Sequence, residues 1–313
     1  MSIQSVASPA LSFTPPKRNS LTHIPGDEGW PIPRAISKKP PGNMAYVTNG
    51  LLAVLALLGA VSVTQAQTRP AVTSLGPNFP KTEMFIGNSF FYYNNGMPSH
   101  FSQLEKAADP EHKGDYRATM ITIGGSGFDW HDVESYFRPN AIGYYEFDDH
   151  NNVVFQKRDK IYDAAVMMDC SQCPIHPQLK SVFTEFAKKN ADIVRAHGAT
   201  PIFFMSWAYA DKPEMTAQLA EAYTVAGNAN DALVVPAGLA FAKARQKQPE
   251  LNLYQPDKRH PTLPGTYLAA CTIFAALTGR SPIGNPYHAG LDEPTAKFLQ
   301  EVAWETVQEY YGR

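Results

Sequence analysis

Two short stretches carry side chains whose types and spacing suit nucleophilic acyl transfer. EMFIGNSF (Glu83–Phe90) is an apolar run that ends in Gly87-Asn88-Ser89, and DKRHPTLPGTYLAA (Asp257–Ala270) sets an acid and a histidine three residues apart. A serine hydroxyl is a poor nucleophile until a neutral imidazole takes its proton, and a carboxylate holds that imidazole in the useful tautomer. Ser89, His260 and Asp257 are thus candidate nucleophile, general base and orienting acid. Each also has a plainer reading, Ser89 as a helix cap and Asp257 and His260 as a helix-start acid beside a surface histidine.

The chemistry requires elements that bring position 89 to position 260. From Thr82 onward strand-like and helix-like segments alternate, the pattern of a parallel sheet covered on both faces. The spacing predicts strands over Glu83–Gly87, Arg117–Ile123, Ala164–Met168, Pro201–Ser206 and Ala232–Val235, with a hairpin inserted over Tyr144–Phe155. It predicts helices over Met97–Ala108, Pro177–Ala196, Met215–Gly227 and Leu239–Lys247. A further helix follows the Asp257–His260 loop and closes at Gly279, and Asp292 caps a last one. Sites in open parallel sheets form at the carboxyl ends of strands, where Ser89, Gly124–Gly127, Cys170–Cys173 and Trp207 fall.

Composition narrows the partners. The 313 residues carry a net charge of −2, which gives no electrostatic reason to expect nucleic acid or an anionic membrane surface. Aromatics at 12%, fifteen of them tyrosine, suit either a carbohydrate-facing cleft or a packed core. Residues 1–43 are rich in proline without apolar periodicity and read as a disordered leader, with either Met1 or Met44 as the natural start. Residues 44–66 read as a signal peptide, with the apolar run Leu51–Val63 and small residues up to Ala66, so the mature chain begins at Gln67. An uncleaved anchor is the other reading of that run, although it is short for a membrane span. Residues 67–81 are then a linker and 82–313 the folded domain, and the protein is expected to be secreted or periplasmic, with no stable membrane insertion after cleavage.

Cys170 and Cys173 form a C-x-x-C, with His176 three residues on. The set reads as a partial metal site, as an internal disulfide or as plain thiols, and no second cluster completes a metal site. No G-x-G-x-x-G or phosphate-loop pattern follows any strand, which disfavours a flavodoxin-like nucleotide binder.

GNS after a first strand, a glycine turn after the second, a polar loop after the third and D-K-R-H-P-T-L-P-G-T-Y-L-A-A-C before a late helix resemble the SGNH (GDSL-type) serine hydrolase superfamily over about Thr82–Pro282. The resemblance implies a three-layer α/β/α, flavodoxin-like sandwich around a five-stranded parallel sheet. It also implies an esterase needing neither metal nor cofactor, and a small ester substrate, O-acetyl groups on carbohydrate among them. Three oxyanion donors come with it: the backbone N–H of Ser89, a glycine N–H after strand two, and a side-chain amide after strand three. Gly125 is the choice for the second, with Gly127 adjacent. The family's G-x-N-D is replaced here by Cys170-Ser171-Gln172-Cys173, leaving Gln172 as the amide. Trp207, Tyr209 and His131 are expected either to line the acyl or sugar pocket or to pack in the core. A catalytically silent glycan-binding module on the same fold is the alternative function.

Overall fold

The computed structural model describes residues 68–143, 145–155 and 160–313. The expected leader and signal peptide lie outside the described residues. In chain order the elements are β1 (Thr82–Gly87), the single turn α1 (Ser89–Tyr92), α2 (Met97–Ala108) and β2 (Arg117–Thr122). A 3₁₀ turn (Phe128–Trp130), the short α3 (Val133–Tyr136) and the hairpin β3 (Tyr145–Phe147) and β4 (Val153–Phe155) come next. The chain continues with β5 (Ala164–Met167), α4 (Lys180–Ala196), β6 (Thr200–Phe204), α5 (Met215–Ala229), β7 (Leu233–Val235), α6 (Ala237–Lys247), α7 (Leu263–Thr278) and α8 (Glu293–Tyr311).

β1, β2, β5, β6 and β7 form one parallel sheet in the order β2-β1-β5-β6-β7. The strand order turns back at β1, and a doubly wound sheet opens a crevice above the carboxyl ends at such a point. Pleating decides which helices cover which face. Phe85 meets Phe101 of α2 on one side, whereas Phe203 meets Phe128, itself stacked on Phe183 of α4, on the other. In register, Phe85 shares its side with Val166 and Ile202, and Met167 shares the other with Phe203. Helices therefore cover both faces, and β5 is buried at every position, as an interior strand of a three-layer α/β/α sandwich must be.

Local sequence explains most element limits. Thr262 caps α7, Pro264 occupies its first turn and Gly279 ends it at φ 66°. Every residue from Gly265 to Leu277 is buried, because α7 lies between α2 on one flank and α8 on the other. Asp292 caps α8 by accepting the Thr295 N–H at 3.0 Å. The helix expected from Pro177 starts instead at Lys180, since the N–H groups of Leu179 and Lys180 both turn back to the His176 carbonyl.

Residues 68–73 run along α5 and the carboxyl terminus. Ala71 N–H donates to Asn228 at 2.7 Å, Asn228 donates to the Arg69 carbonyl at 2.9 Å, and Arg313 bonds the Thr73 carbonyl. The β3–β4 hairpin forms its own two-stranded sheet, with Tyr145, Phe147, Val153 and Phe155 exposed. No helix among the described residues is long and apolar enough to cross a membrane.

Candidate active site

β1 delivers its last residue, Gly87, to the rim of the sheet, and a Cβ there would lie 2.9 Å from the Phe91 ring. Asn88 then caps α1, accepting the Phe90 N–H at 3.2 Å. Its buried amide donates to the Ser126 carbonyl at 3.0 Å and to the Asp169 carbonyl at 3.1 Å, so one side chain ties together the loops after β1, β2 and β5. Ser89 is the first helical residue after that cap and stands on the rim, partly exposed.

The second stretch arrives from 171 residues away. His260 Nε2 lies 2.7 Å from Ser89 Oγ, and its Nδ1 bonds the Asp257 carboxylate. The other oxygen of that carboxylate accepts the backbone N–H groups of Arg259 and His260, each at 3.0 Å. Burial works against ionisation of Asp257. The bond from the His260 ring and those from the two backbone N–H groups together outweigh it and hold the carboxyl down at about 2. The loop bearing both residues is itself pinned: Gln255 N–H donates to the His260 carbonyl at 2.8 Å, Tyr254 and Pro261 form a bridge, and Lys258 turns at φ 64°.

Aromatic rings surround the imidazole. Tyr93 stacks on His260 with centroids 4.2 Å apart and planes 13° from parallel, and Phe90 meets it edge-on at 5.5 Å. Neither ring stood among the residues expected from sequence. A run of four aromatics directly after the serine was the available signal, but only the return of the histidine loop gives it meaning.

The turn after β2 is closed by Ser126 N–H to Ile123 O at 3.1 Å, with Gly125 at φ 73° on an exposed corner. Gly127 is required for a different reason. A Cβ there would come within 2.7 Å of Asp169 Oδ1, the oxygen that accepts the N–H groups of Phe128 (2.8 Å) and Cys170 (2.7 Å). Burial raises the Asp169 carboxyl to about 6 despite those two donors, and Asp129 adds to the rise. Gln172 sits in the loop after β5 between two joined cysteines, and its carbonyl accepts from Ile175 and His176. None of the hydrogen bonds among the described residues links the Gln172 amide or Gly125 to Ser89, His260 or Asp257.

Cys170 and Cys173 form a disulfide, which selects one of the three readings left open by the sequence. Their sulfurs and Asp169 form a cluster tight enough for a metal ion. Disulfide sulfurs are not thiolate ligands, however, and Asp169 already receives two N–H groups. His176 does not join the cluster; its Nδ1 accepts the Gln178 N–H.

The expected pocket residues are placed in the core. Trp207 is 0% exposed, sandwiched between Phe90 (4.6 Å, 7°) and Phe241 (4.1 Å, 9°), and its Nε1–H donates to the Arg259 carbonyl at 2.8 Å. It supports the histidine loop from behind and faces no open space. Tyr209 is 5% exposed, with its hydroxyl 2.7 Å from Ser171 Oγ and the Arg259 guanidinium over its ring. His131, also 5% exposed, lies 3.1 Å from the Gly87 carbonyl, 3.0 Å from Ser126 Oγ and 3.0 Å from Tyr136 Oη. Burial lowers the pKa of its imidazole, partly offset by the Gly87 carbonyl. Trp207 and Tyr209 brace the rim from within the core, whereas His131 also lines a cavity of about 350 Å³ with Trp130, Val133 and Asn190, which does not reach Ser89. Two cavities of about 620 and 670 Å³ lie elsewhere, beside Thr68–Pro70 and between α4 and α5, and neither reaches Ser89.

No protein-family model and no curated protein sequence matches this chain. Solved structures do. A DUF4886 family protein from Bacteroides uniformis shares 20% identity at a TM-score of 0.50, covering 74% of this chain and 95% of its own. A putative SGNH hydrolase from Slackia heliotrinireducens shares 19% (TM-score 0.47; 62% and 97% covered). Axe2, an acetylxylan esterase from Geobacillus stearothermophilus, shares 12% (TM-score 0.45; 66% and 95% covered). In its fold, the chain is similar to the DUF4886 family protein.

Proposed function

We propose that this protein is a serine esterase that hydrolyses a small ester through an acyl-enzyme. The observation that carries the reading is the unbroken chain Ser89 Oγ, His260 Nε2, His260 Nδ1, Asp257 carboxylate, assembled from two segments 171 residues apart. Ser89 Oγ forms the bond to the ester carbonyl carbon and passes its proton to His260 Nε2. The carbonyl π electrons move onto oxygen. When the tetrahedral centre collapses, the C–O bond to the alcohol breaks and His260 protonates the departing oxygen. Water then repeats the sequence on the acyl-enzyme, with His260 as base and Ser89 as leaving group. Asp257 stays ionised throughout and supports the imidazolium.

The developing oxyanion requires donors aimed at it. The Ser89 N–H, at the start of α1, is one; the Gly125 N–H and the Gln172 amide, on the adjacent loops, are assigned the other two roles. The Ser89–His260 pair lies on an open rim, which favours a compact acyl group such as acetyl on a larger alcohol, carbohydrate included. The Cys170–Cys173 disulfide supports an exported protein, because such bonds persist in oxidising compartments.

A serine-directed phosphonate is the direct test. We expect stoichiometric labelling at Ser89, with loss of p-nitrophenyl acetate hydrolysis in parallel. Intact protein that is neither labelled nor active on short acyl esters or acetylated xylan is a silent module instead.

A further inference from the structure

We infer that Tyr93 is a positioning residue for the triad, holding the plane of the His260 ring and favouring the imidazolium formed during acyl transfer; this rests on the esterase reading. The two in-plane hydrogen bonds of His260, to Asp257 and to Ser89, fix the ring along the line joining its nitrogens. They leave it free to tilt about that line. A tilt swings Nε2–H away from the departing alcohol oxygen. The Tyr93 ring removes that freedom by lying flat on the imidazole, 4.2 Å away and 13° from parallel, while Phe90 closes another side edge-on. Once Nε2 holds the serine proton, the imidazole is a cation against an electron-rich aromatic face, which is attractive. Tyr92 stacks on Tyr93 in turn, with centroids 5.8 Å apart.

The backbone shows that this placement is held from several sides. Tyr93 leaves α1 in an extended conformation. Asn94, Asn95 and Gly96 then follow at φ 54°, 68° and 84°, a left-handed run that asparagine and glycine tolerate best. The run directs Asn94 toward the histidine loop, where its amide donates to the Pro261 carbonyl at 2.9 Å and to Thr266 Oγ1 at 2.7 Å. The Asn94 carbonyl lies 2.7 Å from His100 Nε2. Asn94, the residue after Tyr93, is thus fastened to Pro261, the residue after His260, which ties the nucleophile segment to the base segment.

The test compares Tyr93→Leu and Tyr93→Phe with the intact enzyme on one short acyl ester. The leucine variant should lose about tenfold or more in kcat with KM within about twofold, and the phenylalanine variant should stay within about twofold of the parent in both. The His260 ring-proton NMR shifts give a second reading independent of turnover: removing the facing ring should move them, and the phenylalanine variant should leave them in place. A leucine variant with parental kcat, unmoved His260 shifts in the leucine variant, or a phenylalanine variant as impaired as the leucine one, overturns the assignment. A parent protein that neither turns over ester nor takes the phosphonate fails earlier, at the esterase reading, and the role of Tyr93 falls with it.

Discussion

At the scale of single residues, the proposed chemistry depends on three side chains acting as one. Ser89 has no other base within reach among the hydrogen bonds described, and His260 has both ring nitrogens committed, one to Ser89 and one to Asp257. Residues that act as a unit lose activity non-additively. Ser89→Ala and His260→Ala are each expected to lower kcat by about 10⁶-fold, and the double variant no further. Asp257→Asn should cost about 10⁴-fold, since the amide keeps the geometry but not the charge. Steady-state kinetics with circular dichroism as a folding control decide this, and multiplicative losses in the double variant would count against a triad. Gln172 is a separate matter. If its amide donates to the oxyanion, Gln172→Ala lowers kcat about 10²-fold at nearly constant KM. A variant that keeps full kcat places the third donor elsewhere.

At the scale of elements, the rim is a set of loops stapled by buried polar side chains. Asn88 joins three loops and Asp169 two, and Trp207 carries the histidine loop through one indole N–H. Trp207 therefore has two separable functions. Its rings pack between Phe90 and Phe241, while its Nε1 holds the Arg259 carbonyl one residue before His260. Trp207→Phe keeps a six-membered ring in the stack but loses the donor and the volume of the five-membered ring. It should cost about 1 kcal/mol for the donor plus a smaller cavity than the alanine variant leaves, and reduce kcat more than KM, because the loop that aims His260 is loosened. Trp207→Ala adds a core cavity and should cost about 3–5 kcal/mol. Chemical denaturation and kinetics on the two variants separate packing from aiming.

At the scale of the whole molecule, the amino-terminal end of the sheet carries a liability remote from the site. Glu83 on β1 and Glu105 on α2 are both buried, and none of their carboxylate oxygens has a hydrogen-bond partner among the described residues. They come together because Phe85 meets Phe101, and stepping two residues back along the strand and four on along the helix leads to the acids. Burial raises both pKa values, with Asp163 adding to the rise at Glu83 and Glu83 adding to that at Glu105. Each carboxyl ionises near 4.5 in the unfolded chain and at higher pH in the folded one. Above that value the folded state binds more protons, so stability falls as pH rises, by up to about 1.4 kcal/mol per pH unit for each group. Melting temperature should therefore decline from pH 5 to pH 8. Glu83→Gln or Glu105→Gln should flatten that decline, and a parental profile in both variants would show that the two acids do not titrate as a pair.

The sequence by itself determined the alternation of strands and helices, the helix end at Gly279 and the cap at Asp292, and the two blocks that carry Ser89, Asp257 and His260. Those features are local: a period, a cap or a spacing is written within a dozen residues. What Trp207, Tyr209 and His131 do was not legible, because an aromatic at a strand end reads the same whether it faces a cleft or the core. Only packing against Phe90 and Phe241 decided it for Trp207. The redox state of Cys170 and Cys173 likewise required the loop conformation that brings their Cα atoms to 5.2 Å. The meeting of Ser89 with His260, and of Tyr93 with the same ring, spans more than 160 residues. Sequence spacing carries no information on such a distance until the sheet order β2-β1-β5-β6-β7 and the burial of α7 bring the two segments to one rim.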